Sequence, residues 1–192
     1  MNIEIFNEIV KNVIEKIKVF DFTVNNGFDY QSCEENIKHI AEASNEPILT
    51  ILKIKILDYL FEIKSDISLK KFKFIKINEI IPHLILAEYL LKKRYSFNYI
   101  VNKRIEFIKI ILMKKAKEYA TEDRLYNFKR AAIINKTTYE EALLGMFMKH
   151  IVSVLDLLEG RLEPKQAIIN EKFGDAINYI ILLKAIILDC RE

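Results

Sequence analysis

The chain has 192 residues, 51% of them hydrophobic and 30% charged, with a net charge of +3 at pH 7. That is enough for one substantial core or two small ones, and the composition excludes a disordered chain. The charge is too small, and its two signs too interleaved, to predict nucleic-acid binding.

Four Gly and three Pro are too few for the turns of a β-sandwich, a barrel or a Rossmann domain. The expectation is therefore all-α, a helical bundle of about six to eight helices. Ile5, Ile9, Val13, Ile17 and Phe20 recur at helical spacing, which predicts a first helix from about Asn2 to Phe20. Asn25-Asn26-Gly27 is a turn signal. Ser32 with Glu35 reads as a capping box for a short helix to about Ala43. Pro47 suits the first turn of a third helix carrying Leu49, Leu52, Ile56, Leu60 and Ile63. Residues 65–77 form an irregular or β-like connector, because Leu69 to Ile77 partly alternates apolar residues with Lys. Two further helices are expected over Ile80–Lys93 and Ser96 to about Tyr119.

The C-terminal third is punctuated more clearly. A short helix is expected from Asp123 to Ile134, and Thr138 with Glu141 opens another that runs to about Glu159. Gly160 stops it, Pro164 starts the last helix, and that helix continues to about Asp189. The link is so short that these two helices should pack antiparallel. A boundary, if there is one, lies near Lys93–Ser96 and would divide the chain into residues 1–95, of unknown role, and residues 96–192, although the long helix after it could belong to either half. The start Met1-Asn2-Ile3-Glu4 has no basic segment followed by an apolar one. The longest apolar run, Ala176 to Leu188, is interrupted by Asn178, Tyr179 and Lys184 and falls short of the ~20 residues of a membrane span. Cys33 and Cys190 have no metal or redox spacing. A soluble cytoplasmic protein is expected.

The last helix carries a polar stripe, Glu171, Asp175 and Asn178, at i, i+4 and i+7 among isoleucines. Carboxylates in an apolar helix cost free energy unless a cation, a metal or a ligand pairs with them. On the preceding helix Lys149, His150 and Asp156 could face that stripe. Asp156, Glu171 and Asp175 are candidate Mg²⁺ ligands, and Lys149, His150 and Lys172 candidate phosphate contacts. A salt-bridged, solvated seam between two helices is the competing account. In the Glu122 to Phe128 cluster, Arg124 offers a planar fork and Asn127 an amide for a base or ribose edge. Tyr119, Tyr126 and Phe128 offer stacking faces. Asp123 as a helix cap, with Arg124 paired to a neighbouring acid, is the plainer reading of that cluster. His39 and His83 read as packing or surface histidines, and the Lys70 to Lys76 patch as a solvated edge. The chain has no Walker loop, Gly-rich dinucleotide fingerprint, nucleophile elbow or Cys-based zinc site.

Lys117-Glu118-Tyr119, Asp123 to Phe128, Lys149-His150 with Ser153 and Asp156, and Glu171 to Tyr179 occur in an order that resembles small phage-encoded helical proteins. Those are similar in turn to the all-α nucleotide pyrophosphohydrolases, the group of MazG and the dimeric dUTPases. The resemblance covers roughly residues 110–190. It implies a helical nucleotide-handling domain, homo-oligomeric, with Mg²⁺ between acidic helices. It also implies nucleotide contacts at Lys117, Tyr119, Arg124, Asn127, Phe128, Lys149, His150, Lys172, Asn178 and Tyr179. The hydrolases carry Glu-Glu-x-x-Glu on one helix and Glu-x-x-Asp on the next. Here the second motif aligns as Lys172-Phe173-Gly174-Asp175, with Lys172 in place of the Glu, and the first helix offers Lys149, His150 and Asp156. A cation beside Mg²⁺ removes a ligand and adds repulsion.

The expected function is therefore a phage or prophage nucleotide-binding protein, acting in nucleotide metabolism or modification or sequestering a host nucleotide signal. An active Mg²⁺-dependent pyrophosphohydrolase is the first alternative, and a helical protein-binding adaptor the second.

Overall fold

The computed structural model describes residues 1–18, 30–71, 75–92, 94–114 and 123–190. Among these residues eight α-helices form and no strand does. They are α1 (Ile3–Lys18), α2 (Tyr30–Ser44), α3 (Ile48–Ser68), α4 (Ile75–Leu91), α5 (Phe97–Ile108), α6 (Tyr126–Asn135), α7 (Tyr139–Leu158) and α8 (Gln166–Asp189). A π-helical stretch, Lys109–Lys114, continues α5.

Local chemistry sets most of the helix ends. Ser96 caps α5 by accepting the Tyr99 N–H at 3.3 Å. Thr138 and Glu141 form a reciprocal capping box on α7, each side chain bonded to the other's backbone N–H. At the far end of α7, Gly160 takes φ +72°, a left-handed conformation that glycine adopts at no steric cost. Its N–H reaches the Leu157 carbonyl at 3.3 Å and the Arg161 N–H reaches that of Asp156 at 2.9 Å. These two bonds form a Schellman stop. Pro47 directly precedes α3, and Pro164 lies just ahead of α8.

Two expected boundaries move. Helix α2 is already under way at Tyr30, two residues before Ser32, so Ser32 is not its cap. Among the described residues of the expected β-like connector there is no strand: α3 continues to Ser68, Leu69 and Lys70 turn, and α4 begins at Ile75. Residues 72–74 and the Asn25-Asn26-Gly27 turn lie outside the described residues.

Helix α8 is the centre of the assembly. It packs on α7, α4, α5 and α1, and every residue from Ile180 to Ile187 is buried. A helix enclosed on all sides needs apolar residues all round rather than a single stripe, which is what the Ile/Leu run supplies. Even Lys184 lies within it, donating to Asn78 Oδ1 on α4 at 2.9 Å, and burial lowers its pKa to about 8. One continuous hydrophobic core joins residues from Phe6 to Ile187, so both sides of the Lys93–Ser96 connection contribute to it. Among the described residues no helix is long and apolar enough to cross a membrane.

Candidate functional site

The antiparallel α7–α8 hairpin fixes which polar residues meet. Successive residues on a helix point about 100° apart, so Lys149 and His150 cannot both face α8. His150 does: its Nδ1 lies 3.5 Å from Asp175 Oδ2 and its ring stacks on Tyr179, centroids 4.4 Å apart. Lys149 points to solvent. On the other side of Tyr179, Phe128 of α6 makes an edge contact at 6.2 Å.

Between α6, α8 and the π-helical stretch lies a cavity of about 300 Å³. It brings together Arg124, Asn127, Phe128, Asp175, Asn178 and Tyr179, so six of the expected site residues share one space. Ile111 and Leu112 of the π-helix also line it, and sequence spacing did not point to them. A single π-turn widens a helix and often marks a functional site. Arg124 is positioned by this segment, donating from Nη2 to the Leu112 carbonyl at 3.0 Å, with its guanidinium over the Phe6 ring at 5.0 Å. Asp123 anchors the start of α6 by accepting the Leu125 N–H at 2.9 Å and pairing with Lys129 at 2.8 Å. Burial alone would raise the pKa of Asp123, but hydrogen bonds from Lys129, the Met1 amino group and Leu125 bring it to about 2.

Asn178 is the most informative residue in the cavity. It is 3% exposed, and neither its Oδ1 nor its Nδ2 has a hydrogen-bond partner. A buried amide left unpaired costs roughly 1–3 kcal/mol. A ligand bearing one donor and one acceptor side by side would satisfy both atoms. The titrating groups beside it are tuned by burial: the His150 pKa is lowered despite Asp175, the Asp175 pKa is raised by the same desolvation, and the Tyr179 pKa is raised. Both shifts favour the uncharged forms of His150 and Asp175.

Other expected contacts do not converge on this cavity. Lys172 pairs with Glu171 at 2.8 Å on the outer face of α8. Asp156 lies about 9 Å further along α7 than His150, at the Schellman stop, with Arg161 Nη1 3.9 Å away. The set Asp156, Glu171 and Asp175 therefore does not assemble. Among the described residues no three His, Cys, Asp or Glu side chains cluster closely enough to hold a metal ion. The i, i+4, i+7 spacing aligned residues within each helix, but the offset of the hairpin sets which levels meet. Lys117 and Tyr119 lie outside the described residues.

A second polar centre, not anticipated from the sequence, lies toward the start of α8. Glu88 of α4, Lys92 just past its end, Arg104 of α5 and Asn170 of α8 are hydrogen-bonded together beneath a separate cavity. Gly174, which the sequence placed inside the polar stripe, belongs to this region. A Cβ there would lie 2.5 Å from Arg104 Nη1 and 2.5 Å from Phe107 Cε1, so glycine is what lets α5 approach α8 this closely. Compared with protein-family models, curated proteins and solved structures, the chain matches none of them.

Proposed function

We propose that the protein binds a nucleotide or nucleotide-derived small molecule, with the base in the α6–α8 cavity against Asn178. The unpartnered, buried amide of Asn178 carries this reading. A nucleobase edge presents neighbouring donors and acceptors, and Asn is suited to bond such an edge with both amide atoms. Tyr179 and Phe128 supply aromatic faces, and Asn127 and Arg124 supply further donors at the same cavity. The volume of about 300 Å³ suits a base and part of a ribose, which leaves the phosphates outside the cavity.

Binding is favoured over cleavage. Of the three carboxylates expected to hold Mg²⁺, only Asp175 lines the cavity, and the other two are near Lys172 and Arg161. The residues do not fit a resident Mg²⁺, which would arrive instead with the nucleotide phosphates. In the homo-oligomer that the MazG resemblance implies, exposed Met148 and Val152 on α7 and Ile133 and Ile134 on α6 are the apolar groups available for contact.

Calorimetry with deoxynucleoside and ribonucleoside triphosphates, cyclic nucleotides and ADP-ribose derivatives, with and without Mg²⁺, tests the reading. At least one ligand should bind and be recovered intact, and Asn178→Leu should weaken it by tenfold or more. Binding by none of these compounds would overturn the proposal. Release of pyrophosphate, lost in Asp175→Ala, would replace it with the hydrolase.

A further inference from the structure

The polar centre at the start of α8 has an unbalanced charge. Arg104 donates Nε to Glu88 Oε2 at 3.0 Å and Nη2 to Glu88 Oε1 at 2.6 Å, a two-pronged grip on one carboxylate. Its Nη1 donates to the Asn170 carbonyl at 3.2 Å. Lys92 also donates to Glu88 Oε1, and to Asn170 Oδ1 at 2.5 Å. Glu88, Lys92 and Arg104 are 1%, 6% and 4% exposed. Two buried cations thus share one buried carboxylate, and among the described residues neither has a second acid within 4 Å, Asp175 feeling the Arg104 charge only at longer range. An unmatched charge in a protein interior is expensive, and burial lowers the Lys92 pKa accordingly.

The excess charge is not sealed in. Glu88, Lys92 and Arg104 line a cavity of about 490 Å³, with Tyr95 and Tyr99 also on its wall, and with Lys103 and Glu106, which pair with each other at 2.9 Å and leave the net charge of the lining positive. Tyr95 and Tyr99 stack on each other at 4.7 Å with planes 14° apart, and both are exposed. A guanidinium has five N–H donors and an ammonium three. The bonds just described use three of the Arg104 donors and two of those on Lys92, so each cation retains a donor for a further acceptor. This cavity shares no lining residue with the one at Asn178.

We propose that this cavity is a binding site for an oxyanion, phosphate or carboxylate, carried on a flat organic group. Arg104 and Lys92 hold the anion from within, and the Tyr95–Tyr99 stack covers the flat group. The bound anion supplies the negative charge that Glu88 alone does not.

The test is calorimetric titration of the full chain with phenyl phosphate, benzoate and inorganic phosphate, in a buffer free of other oxyanions. Phenyl phosphate or benzoate should bind, and the stronger of the two identifies the oxyanion. Lys92→Met should weaken that ligand at least tenfold. This variant leaves Arg104 and Glu88 as a matched pair, so it should fold, and its circular dichroism melt checks that it does. Tyr99→Ala, at an exposed position, should weaken phenyl phosphate several-fold and leave inorganic phosphate unchanged. Asn178→Leu should leave all three titrations unchanged, which separates this site from the nucleotide cavity. No binding by any of the three ligands, binding indifferent to Lys92→Met, or binding abolished by Asn178→Leu would overturn the proposal.

Discussion

Two cavities flank α8, and they hold buried polarity in opposite ways. At Asn178 the polar atoms are neutral and lack partners, so the site is short of hydrogen bonds. At Arg104 every charged side chain is bonded, so the site is short of negative charge instead. The first deficit is directional and asks for a ligand with a donor and an acceptor in fixed positions. The second is Coulombic and asks only for an anion within reach. One helix can carry both because its polar residues fall at different levels, Asn170 near its start and Asn178 about 12 Å further along.

Substitutions should expose this difference, most strongly at the charged centre. Glu88→Gln keeps the shape but leaves Arg104 and Lys92 buried without an anion, and breaking a buried pair in this way costs about 3–5 kcal/mol. Urea unfolding should show that loss, whereas Lys92→Met should cost far less. Equal losses would mean that the two cations are not in excess. Gly174→Ala comes next. The new methyl would press on Arg104 and Phe107, and overpacking of this kind costs about 1–3 kcal/mol, partly offset by the better helix propensity of Ala. The same denaturation midpoint checks it, and a neutral or stabilising outcome would show that α5 can draw back from α8.

At the neutral site the expected sign reverses. Asn178→Leu replaces an unsatisfied buried amide by an apolar group of similar size, so the unliganded protein should gain about 1–2 kcal/mol. A variant that is more stable yet unable to bind nucleotide marks a residue kept for its ligand. Destabilisation in the absence of ligand would instead mean that Asn178 is satisfied within the fold, and the cavity would lose its main support.

The two sites also differ in how far the sequence revealed them. Arg124, Asn127 and Phe128, and then Asp175, Asn178 and Tyr179, sit on neighbouring elements of the chain, and their helical spacing places each group on one face. The hydrophobic periodicity and the caps Ser96, Thr138 and Gly160 likewise marked most helix ends, because those signals act within a turn or two. Glu88 and Lys92 are only four residues apart, but Arg104 and Asn170 come from two other helices, and no local spacing brings them to that pair. They come together only when α4, α5 and α8 pack. The same limit explains Asp156: its helical phase was readable, but its level relative to Glu171 depends on the offset of the α7–α8 hairpin. Phe107 shows the point most sharply, since the need for glycine at position 174 is set by a side chain 67 positions earlier in the chain.

The smallest expected effect concerns His150, and it tests whether burial or pairing governs the α7–α8 seam. Desolvation is the largest influence on His150, and of the charged groups around it Asp175 and Glu171 favour its protonation while Lys149 and Lys172 oppose it. Its folded-state pKa is therefore lowered below the ordinary 6.5 or so. As pH falls through 6.5 the unfolded chain takes up the proton first, so the wild type should lose stability relative to His150→Gln. Asp175 works in the opposite sense, because its folded-state pKa is raised. As pH falls toward the carboxylate range, the folded protein takes up that proton first and recovers stability. Urea midpoints for the two proteins at pH 7.5 and 5.5 should therefore diverge, with the wild type falling behind at the lower pH. If the wild type gains instead, the 3.5 Å contact between His150 and Asp175 acts as an ion pair strong enough to outweigh burial. The nucleotide cavity would then carry a charged imidazole at its edge, suited to a phosphate rather than to a base.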